Sequence, residues 1–112
     1  MTELLNQKCV PCSGDVPTAS EAEINDYKTQ IPKWNLITED GEKRLQREYQ
    51  FPDFKKALSF TDTVGEMAEE QGHHPALLTE WGKVTVTWWT HAIGGLHRND
   101  FIMAAKCDRA YE

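Results

Sequence analysis

Apolar residues recur along this chain at two different spacings, and the points where the spacing changes divide it into seven elements. Ser20-Glu21-Ala22-Glu23 has the form of a capping box, with the Ser20 hydroxyl set to accept from a backbone N–H and Glu23 set to reach back. It predicts a short helix to about Gln30, ended by Ile31-Pro32. Trp34 to Thr38 reads as a strand that turns at Asp40-Gly41, a dipeptide tolerant of positive φ, and returns over Arg44 to Phe51. In the return strand Leu45, Tyr49 and Phe51 share one parity and Arg44, Gln46, Glu48 and Gln50 the other, the alternation of a sheet with one wet face.

Pro52-Asp53 opens the longest predicted helix, whose apolar stripe is Phe54, Ala57/Leu58, Thr61, Val64 and Ala68, running to about Gln71 with Gly72 as its stop. A second hairpin follows, Leu77 to Trp81 and Val84 to His91, joined by Gly82-Lys83 with glycine first, as a type II′ turn prefers. Val84, Val86 and Trp88 share one face of it; Thr85, Thr87, Trp89 and His91 share the other. Asn99-Asp100 reads as the N-cap of a last helix through Arg109, with Ile102, Ala105 and Cys107 turned inward. The order α-β-β-α-β-β-α predicts a two-layer α+β fold, a four-stranded antiparallel sheet from two hairpins with three helices on one face. Residues 1–17 are expected to form a flexible N-terminal arm and residues 18–112 a single domain, in keeping with a length of 112 residues.

Charge and composition narrow the functional classes. The chain carries 12 Lys plus Arg against 18 Asp plus Glu, a formal charge of -6, which is the wrong sign for a surface that neutralises phosphates. No nucleic-acid partner is expected. No apolar run is long enough to span a bilayer, and the first residues lack a basic region followed by an apolar one, so the expectation is no membrane association and a cytoplasmic location. The three cysteines make a disulfide framework unexpected, and Cys9-Val10-Pro11-Cys12 is a lone CxxC with no second pair to complete a zinc site.

Chemistry concentrates at the histidines. His73 and His74 are adjacent at the predicted end of the long helix, and His91 closes the tryptophan-rich strand. If Gly82-Lys83 is the turn, Trp81 faces Val84, and the same register carried back along both strands sets His74 beside His91. Several imidazoles in one pocket can exchange protons near neutral pH or hold a metal, and the pattern itself leaves both readings open. His97, in a glycine-rich stretch, reads as loop or surface.

Glu69-x3-His73-His74-Pro75-x5-Trp81-x9-His91-x8-Asp100 resembles the signature of the pterin-4a-carbinolamine dehydratases. The likeness extends to Trp34, Leu45-x-Arg47, Phe51, Phe54-x2-Ala57-x2-Phe60 and Gly95-Leu96, and so takes in nearly everything from Ser20 to Ala110. The stretch Glu80 to Trp89 is similar to bacterial members associated with phenylalanine hydroxylase.

The resemblance implies dehydration of 4a-hydroxytetrahydropterin to the quinonoid dihydropterin, with no metal or other cofactor, in a homodimer or homotetramer that recycles the pterin of an aromatic amino-acid hydroxylase. It implies His73, His74 and His91 as the catalytic trio. Gly72, His73, His74, Pro75, Trp89, Thr90, His91 and Ala92 would contact the pterin, and Glu69, Trp81 and Asp100 would support them. Members often carry acidic residues where Gly72 and Ala92 stand here. The competing readings are a three-histidine metal site serving a hydrolase or binding module, a regulatory module of the transcription-cofactor kind found among animal relatives, and a relative serving molybdopterin metabolism.

Overall fold

A computed structural model describes residues 3–10 and 16–112. The elements follow in the expected order: α1 Glu21–Lys28, β1 Asn35–Glu39, β2 Glu42–Gln50, α2 Phe54–Gln71, β3 Ala76–Glu80, β4 Lys83–Trp88 and α3 Arg98–Tyr111, with single 3₁₀ turns at Leu4–Asn6 and His91–Ile93. The capping box is formed: Ser20 Oγ accepts from Glu23 N at 3.2 Å and Glu23 Oε1 accepts from Ser20 N at 2.9 Å. Asp40 and Gly41 take φ of 53° and 78° to close the first hairpin.

The four strands make one antiparallel sheet in the order β1-β2-β4-β3. Pairing β2 with β4 sets Leu45 opposite Trp88 and Tyr49 opposite Val84. These four and Val86 bury their side chains against the helical layer, where α2 supplies Ala57, Phe60, Val64 and Ala68 and α3 supplies Phe101, Ile102, Met103, Ala104 and Cys107. On β2 the other face carries Arg44, Gln46, Glu48 and Gln50, as the alternation there requires. This is the two-layer α+β fold that the element order implies.

Three local expectations are corrected. The buried row of α2 is Ala57, Phe60, Val64 and Ala68, whereas Phe54 and Leu58 are 44% and 45% exposed. The helix is turned to bring the Phe60 ring against Tyr49 and Phe51, at centroid distances of 4.7 and 5.2 Å, so the aromatic residue that meets those rings takes the core position. The last helix starts earlier than Asn99-Asp100 and ends later than Arg109. His97 is its N-cap, its Nδ1 accepting from Asn99 N at 3.0 Å, instead of a loop or surface residue.

The third correction concerns the second hairpin. Its turn is Trp81-Gly82, Glu80 pairs with Lys83 and Ala76 with Thr87, so both strands are displaced by one residue from the expected pairing. A one-residue shift on each strand leaves the faces unchanged, which is why Val84, Val86 and Trp88 still point to the core. It removes the expected pairing of His74 with His91. The strand also ends at Trp88, and His91 begins a 3₁₀ turn closed by a bridge between Thr90 and Gly95. The turn is fixed by its surroundings: Gly82 has φ of 75°, its carbonyl accepts from Phe51 N at 2.8 Å, and a Cβ there would lie 3.1 Å from the Phe51 carbonyl oxygen.

Residues 3–10, within the expected arm, lie on the domain. Leu4 is fully buried in the core, its N–H donating to Gln30 Oε1 at 2.8 Å, and Lys106 Nζ on α3 donates to the Leu5 carbonyl at 3.0 Å. Cys12, and with it half of the CxxC, lies outside the described residues. No helix among the described residues is long and apolar enough to cross a membrane.

Candidate active site

At the C-terminal end of α2 the chain must leave the helix sharply to enter β3, and glycine makes that possible. Gly72 takes the left-handed conformation (φ 66°), so that its own N–H and that of His73 return to the last carbonyls of the helix. This places His73 and His74 at the junction of the helical layer and the sheet. The end of β4 and the 3₁₀ turn after it approach the same junction, as does the first turn of α3. Between them lies a cleft of about 470 Å³ lined by Cys9, Val10, Gln71, Gly72, His73, His74, Thr90, His91, Ala92 and Asn99.

His73 is the most constrained of the histidines. Its ring stacks on Trp88 at a centroid distance of 5.6 Å and an interplanar angle of 8°. Its Nε2 lies 2.5 Å from Oδ1 of Asp100, whose side chain is fully buried. Asp100 Oδ2 accepts from Thr90 Oγ1 at 2.8 Å and from the His97 backbone N–H at 3.0 Å. The carboxylate therefore has every donor it needs from the protein, and it fixes His73 in the Nε2–H tautomer with Nδ1 left as the basic nitrogen. A histidine oriented by a buried carboxylate is the usual arrangement for moving a proton in and out of a pocket.

The other two imidazoles are less enclosed. His74 is largely exposed, its Nε2 2.7 Å from Glu69 Oε1 across the end of α2. His91 is exposed on its 3₁₀ turn and packs against Trp89 at 4.5 Å between centroids; the Arg44 guanidinium lies over that indole at 4.0 Å. Burial holds the His97 imidazole below the ordinary histidine range, with Asp100 opposing that shift. Burial, reinforced by the charge of Asp100, pushes the Cys9 thiol up to about 11, which keeps it protonated and poorly nucleophilic.

Of the expected site residues, the cleft gathers Gly72, His73, His74, Thr90, His91 and Ala92, while Pro75 and Trp89 are not on its lining. Glu69 reaches it only through His74, and Asp100 only through His73 and Thr90. Trp81 is 74% exposed in the turn at the opposite end of β3 and touches none of this. Cys9, Val10, Gln71 and Asn99 line the cleft without having been anticipated. Among the described residues no three His, Cys, Asp or Glu side chains are grouped as a metal site.

The family model described as pterin 4 alpha carbinolamine dehydratase matches residues 17–110. The chain belongs to the pterin-4-alpha-carbinolamine dehydratase family. It is 59% identical over 112 residues to a Microcystis aeruginosa protein named "Putative pterin-4-alpha-carbinolamine dehydratase", covering 99% of this chain and 96% of that one. A protein of the same name from Marinobacter nauticus is 53% identical over 111 residues, covering 99% and 100% of the two chains. The crystal structure of a transcriptional coactivator/pterin dehydratase from Brucella melitensis superposes with a TM-score of 0.77 at 28% identity, over 85% of this chain and 99% of that one. The three histidines singled out in the sequence, His73, His74 and His91, all line the cleft.

Proposed function

We propose that the chain is a hydro-lyase that converts a 4a-hydroxytetrahydropterin to the quinonoid dihydropterin and water. Family membership supports the pterin substrate. The observation that carries the chemistry is the chain of contacts from Thr90 through Asp100 to His73, which delivers one oriented imidazole to a cleft whose facing turn supplies another, His91.

Hydroxide is a poor leaving group, so the oxygen on C4a must take up a proton as its bond to carbon breaks, and the neighbouring ring nitrogen must lose one as the C=N bond forms. In our reading His73, with Nε2–H held by Asp100, accepts the ring proton at Nδ1, and the carboxylate stabilises the imidazolium that results. His91, open to solvent, donates to the departing oxygen, and His74 at the rim orients the pterin. The proton count balances: one enters the leaving water, one leaves the ring. Proton transfer alone accounts for the step, so no metal or further cofactor is invoked. We place the enzyme in the cytoplasm as a homodimer or homotetramer that returns the pterin of an aromatic amino-acid hydroxylase to its redox cycle.

The test is the rate of quinonoid dihydropterin formation from freshly generated 4a-carbinolamine, with wild type beside His73→Ala, His74→Ala and His91→Ala. Acceleration by wild type and its loss in the His73 and His91 variants is expected. A wild-type rate equal to the spontaneous one, or three variants equal to wild type, overturns the proposal. The link to a hydroxylase is checked separately, by whether the protein raises sustained turnover of such an enzyme at limiting pterin.

A further inference from the structure

The cleft has a wall that the family-matched segment, residues 17–110, does not contain. Cys9 and Val10 come from the N-terminal segment and stand on the lining beside His73 and Asn99. Their position is held by specific bonds. Cys9 N–H donates to Gln71 Oε1 at 3.0 Å, Val10 N–H donates to Asn99 Oδ1 at 3.0 Å, and Asn99 Nδ2 donates back to the Val10 carbonyl at 2.7 Å. Asn99 is 1% exposed, and its carboxamide meets the main chain of Val10 in the two-bond manner of a neighbouring strand. Upstream, Leu4 is sunk in the core and Leu5 is tied to Lys106, so the segment is anchored before the cleft wall as well as at it.

We infer that residues 3–10 are a strap that completes the pterin-binding cleft, with Val10 as a substrate-contacting residue and Asn99 as the positioning residue that holds it. The inference rests on the pterin reading above. A pterin is a flat heterocycle whose polar atoms lie in its plane and whose faces are weakly hydrated, so it needs an apolar surface against one face while imidazoles work at its edge. Val10 offers that surface: it is an apolar side chain, 41% exposed, at a site otherwise rich in polar groups. Asn99 precedes Asp100 in the first turn of α3, so one helical turn positions both the strap and the carboxylate that orients His73. Binding and proton transfer are thereby divided between adjacent residues.

Two variants separate this from a merely structural role. Asn99→Ala removes both bonds to Val10 and is expected to raise KM about five- to tenfold with kcat within about twofold, the pattern of lost binding that is uniform between substrate and transition state. Val10→Trp leaves the anchor intact but fills the wall, and the same direction in KM is expected, so the test survives if Asn99→Ala folds poorly. Binding is followed independently with 7,8-dihydrobiopterin, which cannot lose water, by the shift of isotopically labelled Val10 methyl resonances. Displaced Val10 methyls together with a raised KM support the strap. Dihydrobiopterin binding that leaves the Val10 methyls unmoved, or an unchanged KM in both variants, overturns the strap while leaving the dehydratase reading intact. A wild-type protein that neither binds dihydrobiopterin nor accelerates dehydration overturns both.

Discussion

Nε2 of His73 lies 2.5 Å from Oδ1 of Asp100, a carboxylate buried completely at the start of α3 and satisfied on its other oxygen by Thr90 and the His97 amide. Asp100 therefore does two things that a substitution can separate. Asp100→Asn keeps the size of the side chain but puts an NH2 group against a donor, either His73 Nε2–H or the His97 N–H, and no longer stabilises a positive ring. We expect kcat to fall at least about 10²-fold with a smaller change in KM, close to the loss in His73→Ala, for which about 10²- to 10⁴-fold is expected. The double variant should be little worse than either alone, because the two residues act as one unit. Additive losses in steady-state kinetics would show that they act separately.

The N-cap of α3 makes stability depend on pH. His97 Nδ1 accepts from Asn99 N–H and can do so only while unprotonated, and burial depresses the pKa of this ring below its ordinary 6.5; Asp100 opposes the shift, while Arg98 and His73 add to it. A histidine depressed in the folded state contributes stability that is complete above the unfolded pKa and is lost as pH falls through the folded one. The urea midpoint should thus drop on going from about pH 7.5 to below about pH 6.5. His97→Asn, which retains a side-chain acceptor without titrating, should flatten that dependence, and an unchanged slope would exclude His97 as its source.

A second, half-buried node holds the far end of the same helix. Oδ1 of Asp108 accepts from Trp34 Nε1 at 2.9 Å, Tyr49 Oη at 2.6 Å and Arg47 Nη1 at 2.5 Å, which ties the end of α3 to β2 and to the segment before β1. Asp108→Ala strands three donors and should cost about 2–4 kcal/mol, measured by urea unfolding, with Asp108→Asn costing less because one acceptor survives. Burial, then the neighbouring Cys107 and Asp108, raise the Tyr49 pKa above its ordinary 10. The folded state keeps that proton where the unfolded state releases it, so stability is lost as pH climbs above about 10. Ultraviolet titration should show one tyrosine ionising only as the protein unfolds.

What could be read in advance follows from how local each signal is. Ser20 and Glu23, Asp40-Gly41 and the parity of Leu45, Tyr49, Val84, Val86 and Trp88 are set by contacts within a few residues, and each appears where the pattern puts it. The rotation of α2 was not legible, because Phe54 and Leu58 are as apolar as Phe60, and only the rings of Tyr49 and Phe51 across the layer select the last. His74 and His91 both reach the cleft, but not through the expected ladder; β4 stops at Trp88 and the chain turns. The grip of Asn99 on Val10 spans 89 residues, and nothing near either residue announces it.

The position of the second turn shows how one backbone contact overrides a local preference. Gly82-Lys83 suits a turn with glycine first, yet Gly82 sits second, where φ is 75° and the Phe51 carbonyl is too close to admit a side chain comfortably. Gly82→Ala should cost at least about 1–2 kcal/mol from the left-handed backbone alone, with the 3.1 Å contact to Phe51 O adding to it. Gly41→Ala is the matched control, since its φ is 78° and a Cβ there meets nothing within 4 Å. Urea unfolding should therefore rank Gly82→Ala as the more damaging of the two. The turn lies at the end of the hairpin away from the histidines, so kcat of the folded Gly82→Ala protein should match wild type. A lowered kcat in that variant would mean that the β3–β4 register sets the geometry at His73 more tightly than Gly72 and Asp100 do.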